Sequence, residues 1–234
     1  HRVDRRQRQM CIRDSYCGCG GATKGLQNAG FEVTGIDNKP MPYYCGNEFI
    51  QCDIDEITTE FIRSFDLVWA SPPCQLFSVG TLGIKDRETK YPNLIEKTRK
   101  LLLNSHVPFI IENVPNAPLR KDLMLCGEMF DLRVIRHRIF EIEGFKVEQP
   151  KHLKHKRSVC KGEAIGVWNG GKPGGFGKRS YYMQVAGHGG NSYSFKLEDW
   201  QKAMGINWIH KKKYLTQCVP PAYSEYIGNF FHNL

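Results

Sequence analysis

Ser71-Pro72-Pro73-Cys74-Gln75 sets a thiol directly after Leu67 to Ala70, an apolar run with the length and composition of a buried strand. Prolines at 72 and 73 cannot extend that strand, so Cys74 is expected in a loop at a strand's carboxyl end, where open α/β sheets bind ligands. A thiolate there is a nucleophile, whereas a thiol with no chemistry around it is a small core residue. The company Cys74 keeps decides between the two. Val107 to Val114 is another apolar run, and it closes on Glu112, a carboxylate that the same sheet would present as a proton handler. Val134 to Ile142 carries Arg136 and Arg138. In an extended strand these share one face, with Ile135, His137 and Ile139 on the other, and two aligned guanidinium groups suit a phosphate, a carboxylate or a carbonyl oxygen.

Positioning these groups requires repeated strand–helix units, and the chain supplies them from Tyr16 onward. Tyr16-Cys17-Gly18-Cys19-Gly20-Gly21 is a glycine-rich turn, continued by a helix over Ala22 to Ala29 that Gly30 can end. Glycines there let backbone N–H groups approach a ligand closely. Phe31 to Asp37 predicts a strand ending in an acid, the kind of position that holds ribose hydroxyls, and Glu48 to Asp53 predicts another. A glycine turn followed by acids at two successive strand ends favours a nucleoside-type cofactor. Asn93 to Asn104 predicts a helix, Val79 to Tyr91 a polar loop long enough to close over Cys74, Leu197 to Ile206 a helix ending near Gly205, and Tyr223 to Phe231 a last helix.

Composition bounds the functional class. The 234 residues can bury one good core with a small appended region. No window approaches the roughly 18 consecutive apolar residues of a membrane span, and no signal peptide is visible, so a cytoplasmic protein is expected. Nine cysteines without Cys-x-x-Cys pairing read as reduced thiols, with no disulfide framework and no metal. The net charge of +9 is unevenly spread. Residues 16–144 carry 14 Lys and Arg against 17 Asp and Glu, whereas residues 145–234 carry 14 against 5. A basic C-terminal part suggests a polyanion partner, most economically nucleic acid.

Residues 1–15 fit this pattern poorly. They hold Arg2, Arg5, Arg6, Arg8 and Arg13 and show no apolar alternation, so they are not expected to supply the strand that normally precedes a glycine-rich turn. The segment resembles a non-native appendage of translated adapter sequence. The domain reading is therefore residues 1–15 non-native, 16–144 a cofactor-binding catalytic domain, 145–195 a small basic recognition region, and 196–234 helices completing the catalytic domain. Within the recognition region, Gly170 to Arg179 is glycine-rich and basic, with Trp168, Tyr181 and Tyr182 close by.

Taken in order, the glycine turn, Ser71-Pro72-Pro73-Cys74-Gln75, Ile111-Glu112-Asn113-Val114 and Arg136-His137-Arg138 resemble the ordered motifs of the DNA cytosine-5 methyltransferases. The resemblance spans residues 14–144 and resumes near Leu215 to Ala222. It implies an α/β doubly wound, Rossmann-like sheet and transfer of a methyl group from S-adenosyl-L-methionine to carbon 5 of cytosine in double-stranded DNA. By position, Tyr16, Gly18, Gly20, Gly21 and Pro72 would line the cofactor, Asp37 would hold its ribose, and Asp53 would lie near its adenine. Cys74 would be the nucleophile on a flipped-out base. Glu112 would contact the exocyclic amine and ring nitrogen 3 and Arg138 the base carbonyl, with Arg136 supporting them. The alternatives are an RNA cytosine-5 methyltransferase and a catalytically inactive nucleic-acid-binding relative. A compact phage or stand-alone modification enzyme, monomeric and metal-free, in a bacterial or phage-infected cell is the expectation. Two positions depart from the family pattern: Thr216-Gln217 stands where Gly-Asn is usual, and Val134 where Gln often precedes the paired arginines.

Overall fold

A computed structural model describes residues 10–152, 155, 159–160, 182–183, 185 and 196–233. Its main sheet has seven strands: β1 (Cys11–Ser15), β2 (Glu32–Asp37), β3 (Glu48–Gln51), β4 (Leu67–Ala70), β5 (Phe109–Asn113), β6 (Leu123–Leu125) and β7 (Arg138–Glu143). Their order is β3-β2-β1-β4-β5-β7-β6. β1 to β5 run parallel, and β7 is antiparallel to both β5 and β6. The helices are α1 (Gly21–Asn28), α2 (Thr59–Ile62), α3 (Arg87–Lys90), α4 (Ile95–Ser105), α5 (Leu197–Met204), α6 (Lys212–Leu215) and α7 (Pro221–His232). Among the described residues no helix is long and apolar enough to cross a membrane.

Helices cover both faces of the sheet. On one face α1 and α7 pack Ala22, Leu26, Tyr223 and Ile227 against Ile12, Val33, Trp69 and Phe140. On the other, α2 and α4 supply Ile62, Ile95 and Leu102 against Ile36, Val68, Ala70 and Ile111. β4 and β5 are therefore buried on both sides, which is why Leu67-Val68-Trp69-Ala70 and Phe109-Ile110-Ile111 read as continuous apolar runs rather than alternating ones. α1 and α7 approach so closely that a Cβ on Gly25 would lie 1.9 Å from the Pro221 carbonyl oxygen. The expected doubly wound, Rossmann-like α/β architecture is the one observed.

Two expectations need correction. Residues 11–15 do form a strand, and it is a central one, paired with β2 and β4. Two flanking parallel strands supply the hydrogen bonds that its own composition does not invite, and tertiary pairing overrides propensity. Asp14 turns towards α1 and accepts a hydrogen bond from Thr23. Arg13 lies in register with Thr34 and Val68 and is 0 % exposed. The second correction concerns the arginine strand, which begins only at Arg138. Arg136 precedes it and is not presented beside Arg138 as one of two aligned guanidinium groups.

Within residues 145–195, Val159–Cys160 and Tyr182–Met183 form a small parallel pair. Gly170 to Arg179, Trp168 and Tyr181 lie outside the described residues, as do Arg2, Arg5, Arg6 and Arg8.

Candidate active site

β1 ends at Ser15 and releases the chain into the glycine turn. Tyr16 (φ 58°), Gly18 (φ 50°) and Gly20 (φ 80°) all adopt left-handed backbone, which reverses the chain and starts α1 at Gly21. Asp37, at the end of β2, accepts a hydrogen bond from the Gly18 N–H at 3.1 Å and another from Lys39 at 3.3 Å. Burial pushes its carboxyl up, while those backbone donors oppose the shift. Asp53 caps a short turn, Ile54–Glu56, by accepting from the Asp55 N–H. Ser15, Tyr16, Ile36, Asp37, Asp53 and Leu94 line one open cleft of about 300 Å³. The Tyr16 hydroxyl reaches across to Thr98 of α4 at 2.9 Å.

The residues fit a nucleoside cofactor on three counts. Two carboxylates converge on the cleft, Gly18 leaves open space where a Cβ would stand, and the buried Ser15 hydroxyl has no protein partner. Gly20 and Gly21 serve differently. A Cβ on Gly20 would press on Cys45, and one on Gly21 would lie 2.4 Å from the Val219 carbonyl oxygen, so both permit packing around the turn.

Cys74 follows β4, as expected from Pro72-Pro73. The Asn113 side chain donates to the Pro72 carbonyl at 2.9 Å, fixing the start of the Cys74 loop to the end of β5. One residue earlier on β5, Glu112 pairs with Arg138 of β7, Nε to Oε1 at 2.8 Å, and both side chains are largely buried. Burial pushes the Cys74 thiol up, Arg138 and Arg136 pull it down, and Glu112 adds to the rise. The thiol therefore rests protonated, within the fields of both partners. After it, Thr81 donates back to the Ser78 and Gln75 carbonyls, folding the loop onto itself, while Val79 is 70 % and Leu82 59 % exposed at its tip. The expected loop also carries α3.

Arg136 is committed elsewhere. Its guanidinium donates to the Val185 carbonyl at 3.1 Å and the Thr216 carbonyl at 2.6 Å, and its own carbonyl accepts from Tyr223 at 2.7 Å. Burial first, then Arg138, lowers it to about 10. Because Thr216 contributes its backbone oxygen, the departure from Gly-Asn at 216–217 does not disturb this bond. Val134, the other departure, is buried and packs its carbonyl against Gly127.

The family model of C-5 cytosine-specific DNA methylases matches residues 10–124. Over 119 residues the chain is 33 % identical to the type II methyltransferase M.HgiGI of Herpetosiphon aurantiacus, covering 46 % of this chain and 93 % of that protein. The chain belongs to the C-5 cytosine-specific DNA methylase family. A second member, the type II methyltransferase M.AplI of Arthrospira platensis, is 31 % identical over 103 residues, which are 38 % of this chain and 28 % of that protein. Among solved structures, a prophage-encoded E. coli chain described as a DNA modification methyltransferase superimposes with a TM-score of 0.65 at 14 % identity, covering 97 % of this chain and 99 % of that one. That likeness concerns the fold alone.

Sequence reading missed one constellation of this chain. Cys126, His137, His152 and His155 come together at the root of the basic region. A search confined to Cys-x-x-Cys spacing cannot find them, and His152-x-x-His155 is one residue short of the usual His-x3–5-His spacing.

Proposed function

We propose that this methylase transfers a methyl group to carbon 5 of cytosine in double-stranded DNA, with Cys74 as the covalent nucleophile on a base turned out of the duplex. The observation that carries this reading is the Glu112–Arg138 pair at 2.8 Å on the neighbouring strands β5 and β7, acting electrostatically on Cys74 in the loop that follows the adjacent β4. S-adenosyl-L-methionine, held by the glycine turn, Asp37 and Asp53, supplies the electrophilic methyl group when bound.

Carbon 5 of cytosine is a weak nucleophile, and addition of a thiolate at carbon 6 moves electron density onto it. Cys74 must first lose its proton, which burial opposes and Arg138 favours. Glu112 faces the ring at nitrogen 3 and the exocyclic amine, and a proton shared between its carboxyl group and nitrogen 3 offsets the negative charge that addition develops. Arg138 holds the base carbonyl oxygen and, through its ion pair, keeps the Glu112 carboxylate oriented. After methylation, loss of the carbon 5 proton re-forms the ring double bond and expels Cys74 as thiolate. Extruding the base costs a few kcal/mol, which contacts in this pocket and insertion of the exposed Val79–Leu82 tip would offset. Arg136 acts as a positioning residue.

Purified protein given labelled S-adenosyl-L-methionine should methylate duplex DNA, and Cys74→Ser should abolish transfer. Full activity in that variant would overturn the nucleophile assignment. Covalent capture on 5-fluorocytosine in RNA but not in duplex DNA would replace the DNA substrate by RNA. Retained DNA affinity without transfer or capture would mark an inactive binding relative.

A further inference from the structure

We propose that Cys126, His137, His152 and His155 form a structural site for a late first-row divalent metal, zinc above the others. Each offers one donor atom, and the four donors lie within 4.8 Å of one another. Cys126 Sγ is 3.7 Å from His155 Nε2, and His155 Nε2 is 3.3 Å from His137 Nε2. Those spacings match the edges of a tetrahedron built with zinc–sulfur and zinc–nitrogen bonds of about 2.3 and 2.05 Å, whose edges are about 3.6 Å for S···N and 3.3 Å for N···N. Closing a pair at the widest spacing to such an edge needs about 1.2 to 1.5 Å, shared between two side chains that can rotate.

Ordinary hydrogen bonding accounts for only part of the arrangement. An N–H of one imidazole directed at the other would explain the His137–His155 spacing. It does not explain the convergence of a thiol and a third imidazole, nor the buried Nε2 of His152, which has no protein partner. The three rings pack edge to face, with centroids 4.8 to 5.1 Å apart. The Glu128 carboxylate contacts His155 Nδ1, the other ring nitrogen. That contact selects the tautomer that turns the Nε2 lone pair of His155 toward Cys126 and His137, the carboxylate–histidine relay common behind bound zinc.

One thiolate and three imidazoles favour zinc, copper, nickel or cobalt over magnesium and calcium, which take oxygen donors. Four protein donors complete a tetrahedron and leave no position for water, so the role is structural. The ligands follow the pattern Cys126-x10-His137-x14-His152-x2-His155, so the metal ties the segment after β6, the residue between Arg136 and Arg138, and the chain entering the basic region. The metal would staple that entry to the strand carrying Arg138.

Cobalt(II) titration of the metal-stripped full-length chain tests the site. We expect saturation at one ion per chain, intense visible absorption of tetrahedral cobalt, and a near-ultraviolet thiolate charge-transfer band absent from Cys126→Ser. Glu128→Gln should weaken binding by about 10- to 100-fold without removing the band. Zinc should displace the cobalt and raise the midpoint of thermal unfolding of the unaltered chain, a readout that needs no variant to fold. Weak octahedral spectra, a charge-transfer band that survives in Cys126→Ser, or no change in midpoint with zinc would each overturn the proposal.

Discussion

Replacing Arg13 by methionine should make this protein more stable. Arg13 sits in the central strand β1, is 0 % exposed, and none of its three guanidinium nitrogens has a hydrogen-bond partner. Burial lowers its pKa from the ordinary arginine value to about 10, outweighing the favourable charges of Tyr16, Cys52 and Asp14. At 1.36 kcal/mol per pKa unit, that drop means the site disfavours the cation by about 3 kcal/mol relative to water. Methionine keeps much of the arginine's length, needs no partner, and adapts to an irregular slot. A gain of about 3 kcal/mol follows, and at 2–4 °C per kcal/mol for a chain of this size the melting midpoint should rise by about 6–12 °C. Urea unfolding should show a higher midpoint at unchanged slope, the mark of altered stability rather than altered compactness. Arg13→Lys retains the charge and should bring no gain. Because β1 runs directly into the glycine turn, Arg13→Met should also tighten S-adenosyl-L-methionine binding. A lowered urea midpoint in Arg13→Met would refute the reasoning, since it would mean that the guanidinium makes a net favourable contact where it lies.

Other consequences concern pH, packing and the thiol. Asp14 is raised to about 7, first by burial, with Thr23 opposing and Asp37 and Glu112 adding to the rise. The folded state therefore holds this proton more tightly than the unfolded chain, so stability present below about pH 4 is lost as pH rises towards 7, by up to about 4 kcal/mol. Asp14→Asn should remove that slope from urea midpoints measured across this range. At Glu141, burial pushes the carboxyl up, but bidentate bonds from Arg99 at 2.8 and 2.7 Å and the Arg120 N–H outweigh it and leave the pKa low. Its stabilisation is thus present above the ordinary glutamate value and lost as pH falls below it, and Glu141→Gln should cost about 3 kcal/mol at neutral pH by the same measurement. Gly25→Ala should force α1 from α7, costing about 3 kcal/mol in thermal unfolding and weakening cofactor binding. Alkylation of Cys74, followed by peptide mass spectrometry, should be slow at neutral pH, accelerate above the ordinary thiol range, and slow further in Arg138→Leu.

The candidate site was legible where chemistry and strand termination coincide. Leu67 to Ala70 followed by two prolines reads correctly because prolines end a strand whatever surrounds it, and Glu112 reads correctly because an acid closing an apolar run marks a strand's mouth. β1 was illegible for the opposite reason. Cys11-Ile12-Arg13-Asp14-Ser15 has no apolar period, and only its two neighbours in the sheet make it a strand. The parity argument for Arg136 and Arg138 assumed an extended backbone from Val134 onward, whereas partners distant in sequence, Val185, Thr216 and Tyr223, draw Arg136 out of it. The four-donor cluster draws on three separated segments, which no local spacing rule joins.

Arg136 bonds the C-terminal helices to the segment that leads into β7. One side chain bonds residue 185 from the basic region and residue 216 from the closing motif, while its carbonyl receives Tyr223 of α7. The Ser224 hydroxyl, next along α7, donates to the Ala22 carbonyl in the first turn of α1, 2.7 Å away. Hydrogen bonds at two neighbouring residues of α7 thus tie the segment just before β7 to the first turn of α1. A buried guanidinium held by two backbone oxygens, its Nε already without a partner, tolerates little displacement, because each lost bond strands a charge in a region of low polarity. The seating of Arg138 and of the first turn of α1 is therefore set by one element, α7, and a change at Arg136 should disturb both together.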